Sequence, residues 1–219
     1  GTDPSVNIFH VNGSDVSVAN MFTINAPASS TVIVNINGTT GRMANFGFFL
    51  NGVNRQSVIY NFYQATSLEL RAIGVEGSIL APSADVSFSD GVMQGQLIGR
   101  SLNGTGQSNH FPYEDCPEVP NTTPTATSVP PTATKTNTPV PPTATNTSVP
   151  PTATQVAGCP VPPLGVAANY NVFMRDNVTQ SGSDTEGAMA AGGNINLSNY
   201  DVGLKLNSSW NGGDVLVAG

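Results

Sequence analysis

Short stretches of alternating apolar and polar residues recur along the chain, and turn residues separate them. In residues 31–37 the apolar side chains of Val32, Val34 and Ile36 occupy every second position, and Asn37-Gly38 follows. A period of two that ends at an Asn-Gly turn is typical of a β-strand with one buried face. We therefore predict a strand here, with these three side chains directed into a core.

Two further segments extend this prediction. Residues 57–62 alternate in the same way after another Asn-Gly turn, and they predict a second strand. Residues 14–20 suit a short helical turn, with Ser14 or Asp15 as the capping residue. Strands and tight turns dominate, so the fold class predicted from the pattern is all-β.

A short motif recurs at a spacing of 18 residues. Gly77-Ser-Ile-Leu-Ala returns loosely as Gly95-Gln-Leu-Ile-Gly, and residues 85–88 form a short strand pattern between Pro82 and Asp90-Gly91. Three short strands within about 18 to 20 residues are what one coil of a three-sided β-solenoid requires. Each coil would stack its small apolar residues on the next one. Ordinary β-hairpins in a sandwich remain the alternative.

A segment rich in Pro and Thr divides the chain into an N-terminal flank (residues 1–116), a linker (117–160) and a C-terminal flank (161–219). Proline lacks an N–H and fixes φ, and the linker contains too few apolar residues to form a core. We expect it to be an extended or disordered spacer. Threonines in its four PTAT copies are candidates for O-glycosylation: Thr125, Thr127, Thr132, Thr134, Thr143, Thr145, Thr152 and Thr154.

Several motifs in the flanks carry a family resemblance. They are LGVAANYNVF at residues 164–173, GSDTEG at 182–187, AGGN at 191–194, GDVLVAG at 213–219, EGSILAP at 76–82 and NHFP at 109–112. Together they resemble the choice-of-anchor A family of bacterial surface proteins, whose domain is related to ice-binding-like adhesive β-solenoids. The resemblance implies a right-handed β-solenoid and an extracellular location on a bacterial cell surface.

The order of these motifs differs from that of the family. The N-terminal flank resembles the second part of such a domain, and the C-terminal flank resembles its first part. The chain also has no initiator Met and no signal peptide, so we expect a cut from a tandem or polymerising surface protein. Residues 161–219 of one unit would then complete residues 1–116 of the next, either within one polypeptide or between separate chains. A simple fragment remains the alternative.

Half-made coils at the two ends would leave open strand edges. An open edge with apolar side chains can pair with another chain, and head-to-tail contacts that do not close generate filaments. We therefore predict self-association between identical units. The predicted assembly-edge residues are Val6, Ile8, Phe9, Val215, Leu216 and Val217.

Charge and hydropathy exclude two classes of function. Seven basic residues do not cluster, and the net charge is −7, whereas nucleic-acid binding needs clustered Lys and Arg. We therefore expect no nucleic-acid partner. No apolar run approaches the roughly 18 residues that span a bilayer, so no membrane span is predicted in this segment.

The residues of catalytic or metal sites are also sparse. The two histidines, His10 and His110, lie far apart in sequence, and no nucleophile elbow, P-loop or dinucleotide fingerprint occurs. We expect no enzyme activity, no catalytic residues and no cofactor. Asp184 and Glu186 are weak calcium candidates, as is the group of Glu114, Asp115 and Glu118, but both groups lack the regular Asp alternation of strong calcium loops.

The two cysteines lie just outside the two ends of the linker. In an oxidising compartment Cys116 and Cys159 could form a disulfide that closes a loop over it. Unpaired or separately paired thiols are the alternative.

Two functions remain open. The first is a structural one: an extracellular stalk or filament of β-solenoid units joined by spacers. The second is a cell-surface adhesin that binds a matrix protein or a glycan. Exposed aromatic side chains would favour adhesion. The densest aromatic group consists of Phe46, Phe48, Phe49, Tyr60, Phe62 and Tyr63. Alternate members of this group could instead fill the interior of the fold. Ice binding would need a flat array of Thr on one face, whereas the strands here offer Ser87, Ser89, Gln94 and Gln96.

Overall fold

The computed structural model describes residues 1–116, 163–207, 210 and 213–219. The linker and Cys159 lie outside the described residues. The N-terminal flank contains β1 (Val6–Asn12), α1 (Gly13–Ser17), β2 (Met21–Ala26), β3 (Thr31–Asn37), β4 (Thr40–Ala44), β5 (Gly47–Gly52), a 3-10 turn (Arg55–Ser57), β6 (Val58–Asn61), β7 (Ser67–Arg71), β8 (Gly74–Glu76), β9 (Ser78–Ser89), β10 (Val92–Gln94), β11 (Leu97–Gly104) and β12 (Gln107–Asn109). The C-terminal flank contains a second 3-10 turn (Gly165–Asn169), β13 (Val172–Met174), β14 (Val178–Thr185), β15 (Met189–Ala191), β16 (Ile195–Val202) and β17 (Leu216–Ala218).

Every described strand pair is parallel, so the structure is a curled parallel sheet, with β2 and β5 as a separate pair. The strands alternate along the chain between three faces. The first face runs from β1 through β3, β6, β9, β11, β13 and β15 to β17. The second contains β4 and β7, then the later parts of β9 and β11, and then the first parts of β14 and β16. The third contains β2 and β5, then β8, β10, β12 and the end of β14.

Apolar side chains on neighbouring strands lie in register and form the core. On the second face Leu68, Val86, Leu102 and Val178 occupy one continuous row, and each is at most 3% exposed. The same arrangement holds on the first face, where β3 has the predicted bounds and Val32, Val34 and Ile36 are buried. The alternation in the sequence therefore gave the buried face of this strand correctly.

The two flanks form one sheet within a single chain. Leu97 pairs with Ile79 on one side and with Val172 on the other, so β11 joins the N-terminal flank to β13 of the C-terminal flank. Leu102 pairs in the same way with Val178 of β14. At this joint the flanks of one chain complete each other, and no second unit is needed for it.

Two local predictions need correction. Pro82 does not end a strand, because β9 continues through residues 78–89. The register with β11 shifts at this point, and Pro82 lies in the irregular stretch, where a missing N–H costs no ladder hydrogen bond. The helix is present, but Asn12 is its N-cap, without a side-chain bond to the helix backbone, and Ser14 and Asp15 lie inside it.

The length of chain between neighbouring strands of the first face decreases from the β1 end to the middle of the sheet. Ile8, Ile33 and Ile59 occupy one row at spacings of 25 and 26 residues. From Ile59 to its partner Ser78 the spacing is 19 residues, and from Ile79 to Leu97 it is the predicted 18. The sheet is therefore wider at the β1 end than in its middle.

Among the described residues, no helix has the length and apolar character needed to cross a membrane.

Candidate functional site

Gln96 fixes the joint between the flanks. Its side chain is 1% exposed, and its amide nitrogen lies 3.2, 3.1 and 2.7 Å from the carbonyl oxygens of Ala167, Ala168 and Tyr170. Its side-chain oxygen accepts a hydrogen bond of 2.9 Å from the backbone N–H of Tyr113. Gln96 thus holds both segments that lead into the linker. The sequence pattern did not indicate this role, since Gln96 was grouped with the other polar residues of the predicted strands.

Asn171 makes the matching contact from the C-terminal flank. It is 2% exposed, and its amide nitrogen donates to the carbonyl oxygens of Gly95 and Asn109 at 2.9 and 3.1 Å. Its side-chain oxygen lies 3.1 Å from Nδ1 of His110, whose ring meets that of Trp210 edge to face at 6.4 Å. His110 and Trp210 therefore also belong to the joint, where both side chains pack between the flanks.

The weak calcium candidates belong to the same joint. The Glu186 carboxylate accepts a bond from the backbone N–H of His110 at 3.0 Å, and Lys205 lies 4.0 Å away. The Asp184 carboxylate lies 3.4 Å from the side-chain nitrogen of Gln107. Within the part of the chain that the structure describes, no three His, Cys, Asp or Glu side chains are grouped as metal ligands. The hydrogen bonds of these two carboxylates are therefore to residues of the N-terminal flank.

The second acidic group and the cysteines lie beside the linker. Asp115 accepts a hydrogen bond of 2.9 Å from the Thr31 hydroxyl, and Glu118 lies outside the described residues. Cys116 is not a free thiol. Because its predicted partner Cys159 is outside the described residues, the pairing stays a prediction that peptide mapping under non-reducing conditions would test.

Most of the aromatic group fills the interior. Phe46, Tyr60 and Phe62 are buried, and Phe48 lies 5.2 Å from both the Phe46 and the Tyr60 ring. Burial and the nearby Glu76 carboxylate raise the pKa of Tyr60, whose hydroxyl donates to the Glu76 carbonyl oxygen at 3.0 Å. Only Phe49 and Tyr63 in this group are well exposed, at 52% and 50%.

The predicted assembly-edge residues lie at opposite ends of the first face. Val6, Ile8 and Phe9 are on β1, and Leu216 and Val217 are on β17, with Val215 just before it. Ile8 is 56% exposed and Leu216 47%. At the β1 end, α1 packs beside β4 and so covers that end of the second face. The outer edges of β1 and β17 have no neighbouring strand among the described residues.

A cleft opens on the third face, where β5 and β8 are in contact without hydrogen-bonding as a ladder. It has a volume of about 320 Å³, and its walls include Phe49, Asn51 and Asn54. Arg55 and Glu76 form an ion pair of 2.9 Å at its side. The outer surface nearby carries paired amides, since the Asn51 side chain donates to that of Asn25 at 2.8 Å. This is the place on the described surface where an exposed aromatic ring, amides and a charged pair meet.

Comparison with known proteins adds a family to this geometry. A family model described as "Putative Ice-binding-like adhesive domain" matches residues 1–110 and 163–219. The match covers both flanks and leaves out the linker. No curated protein and no solved structure matches the chain.

Proposed function

The chain belongs to the family of ice-binding-like adhesive domains, and on that basis we propose that it is an extracellular adhesive module of a cell surface. Its binding partner would be a glycan or a matrix protein on the opposing surface. The finer assignment to the choice-of-anchor A group and a bacterial source are part of the same proposal, and they rest on the motifs of the two flanks.

The observation that carries this proposal is the joint between the flanks. The family match is split into two pieces, and the parallel register of Leu97 with Val172 unites those pieces into one sheet. A sheet that spans both flanks offers a broad surface for binding, and a preorganised surface loses little entropy when it binds. We further propose that the curled sheet is a right-handed β-solenoid, since parallel crossovers are right-handed in nearly all proteins.

Adhesion can be tested directly with the full chain. The purified protein would be passed over immobilised collagen, fibronectin and a printed array of oligosaccharides, with an albumin-coated surface as the control. We expect saturable binding to at least one of these surfaces. Binding no stronger than to albumin on every surface would contradict an adhesive role.

A second function, assembly into a stalk or filament, is favoured by the two open strand edges. The exposed Ile8 on β1 and Leu216 on β17 are apolar, and the described strands of the first face, from β1 to β17, pair in parallel. The β17 edge of one unit could therefore extend the parallel sheet at the β1 edge of another, although α1 restricts that contact to part of the end.

Electron microscopy together with a denaturing, reducing gel separates the two versions of assembly. Filaments from a band near 22.5 kDa would indicate non-covalent head-to-tail contacts between chains. Filaments from a much larger band would indicate tandem units. Unassembled particles would exclude assembly and leave adhesion as the function.

A further inference from the structure

The cleft between β5 and β8 follows from the change in width of the sheet. The wider coil that contains β5 has 26 residues between Ile33 and Ile59, whereas the next has 19 between Ile59 and Ser78. β5 has six residues and β8 has three. The two strands touch, yet β5 pairs with β2 alone among the described strands. One backbone edge of β5 therefore faces the cleft.

The cleft combines an exposed ring with fixed polar groups. Phe49 projects to solvent from β5 and is 52% exposed, while Val53 is buried at 4% beneath the same wall. The Arg55 guanidinium is held on two sides, by Glu76 at 2.9 Å and by the Phe111 ring, whose centre is 4.7 Å away. Both members of the ion pair are partly exposed, at 32% and 26% of their side-chain surface. Their outward-facing hydrogen-bonding groups are thus oriented before any ligand arrives.

Building on the proposed adhesive function, we propose that this cleft binds a neutral pyranose unit of a glycan as its ligand. A pyranose ring has an apolar C–H face and a rim of hydroxyl groups. The Phe49 ring packs on the C–H face, and the Arg55–Glu76 pair donates to and accepts from two hydroxyls on the rim. Asn51 and Asn54 add amide groups around it.

Charge and size select this ligand class. The lining carries one guanidinium and one carboxylate, which neutralise each other, so neither a phosphate nor a sulfated sugar has a net counter-charge there. The volume of about 320 Å³ lies at the lower end of ligand sites, which run from about 300 to 1,000 Å³, and it suits one or two sugar units. An extended peptide that paired with the free edge of β5 would have to enter between β5 and β8, which are already in contact.

The test uses the full chain and an array of neutral cello-, chito-, manno- and galacto-oligosaccharides, followed by calorimetric titration with the oligosaccharide that binds best. We expect Phe49→Ala to weaken binding roughly tenfold, because it removes the stacked ring, and Phe49→Trp to retain it. Glu76→Gln should weaken it by a similar factor through the lost charged acceptor. Tyr63→Ala is the matched control, since Tyr63 is equally exposed and lies outside the cleft.

The outcomes separate this site from the adhesive function. Oligosaccharide binding that Phe49→Ala and Glu76→Gln leave unchanged would place the sugar elsewhere and overturn the site, while adhesion stands. Binding to collagen or fibronectin without any oligosaccharide binding would overturn the ligand class and again keep adhesion. Failure to bind any of these probes would overturn both. Unchanged melting temperatures of the variants show that the fold is intact.

Discussion

The side-chain amide nitrogen of Gln96 lies 2.7 Å from the carbonyl oxygen of Tyr170, although 74 positions separate the two residues in sequence. Gln96 directly precedes β11 of the N-terminal flank, and Tyr170 follows the 3-10 turn at the start of the described C-terminal flank. One buried amide therefore connects the segments on both sides of the linker. Its removal should weaken the joint more than the loss of an ordinary hydrogen bond.

We predict that Gln96→Leu lowers the free energy of unfolding by about 3 kcal/mol. The variant leaves the Tyr113 N–H and the carbonyl oxygens of Ala168 and Tyr170 without this partner, whereas the Ala167 carbonyl keeps its bond from the Tyr170 N–H. A buried polar group without a partner costs about 1 to 3 kcal/mol. Urea unfolding followed by the fluorescence of Trp210, the sole tryptophan, measures the change. Gln64→Leu is the control, because its amide makes one exposed bond to Gly38 and should cost at most about 0.5 kcal/mol. Equal effects of the two substitutions would mean that the joint does not depend on Gln96.

A second buried glutamine should behave in the opposite way. Gln180 is 1% exposed, and neither of its side-chain polar atoms has a hydrogen-bond partner among the described residues. Methionine has a similar shape without the desolvation cost of the amide, so we expect Gln180→Met to stabilise the fold by about 1 to 2 kcal/mol. Thermal unfolding checks this, with Gln96→Met as the control that should destabilise. A lower melting temperature for Gln180→Met would indicate that an internal water bonds the amide.

The features that were predictable from the sequence depend on local patterns. The alternation of Val32, Val34 and Ile36 lies within one strand, and the recurrence of Gly77 at Gly95 reflects the 18-residue step between paired positions of β9 and β11. Both signals need no knowledge of distant residues. The exposed strand edges could be predicted only as candidates for self-association. Pairing with another unit depends on both edges together, and the sequence of one edge does not reveal it.

Long-range contacts explain what was missed. Gln96 is buried by segments around residues 113 and 170, so its burial could not be predicted from its neighbours in the sequence. The C-terminal flank looked unfinished because its neighbour in the sheet is β11, which lies on the other side of the long linker in the sequence. The cleft beside Phe49 depends on a difference in the number of residues between paired strands, which is 26 from Ile33 to Ile59 and 19 from Ile59 to Ser78. These numbers can be counted only once the strand register is known.

Gly95 should be intolerant of a side chain. A Cβ atom added there would lie 2.2 Å from the carbonyl oxygen of Gly77, and a backbone atom cannot move aside easily. We predict that Gly95→Ala lowers the free energy of unfolding by about 3 kcal/mol or more. Gly74→Ala is the matched control, since its nearest new contact is Val92 Cγ1 at 3.6 Å, and we expect a change below about 1 kcal/mol. Comparable losses of unfolding free energy for the two variants in urea would contradict the close approach of the Gly77 and Gly95 backbones.

The contribution of Asp85 to stability should disappear in acid. The carboxylate of Asp85 accepts hydrogen bonds from Arg100 and, at 2.6 Å, from the hydroxyl of Ser101 on the next strand, and these bonds lower its pKa. A carboxyl group whose pKa is lower in the folded than in the unfolded state stabilises the fold above the unfolded value, about 3.9, and loses that effect as the pH falls through the folded value. The side chain is more than half exposed, so solvent screening limits the contribution to about 1 kcal/mol or less.

We therefore expect Asp85→Asn to be less stable than the parent chain at pH 7 and nearly equal to it well below pH 4, as measured by urea unfolding over this range. Asp201→Asn, an exposed carboxylate on β16, gives the background for losing one negative charge. Raising the salt to 1 M should reduce the difference at pH 7, because screening weakens an exposed ion pair. A difference that persists unchanged at low pH would show that the shape of Asp85, rather than its charge, holds β9 against β11.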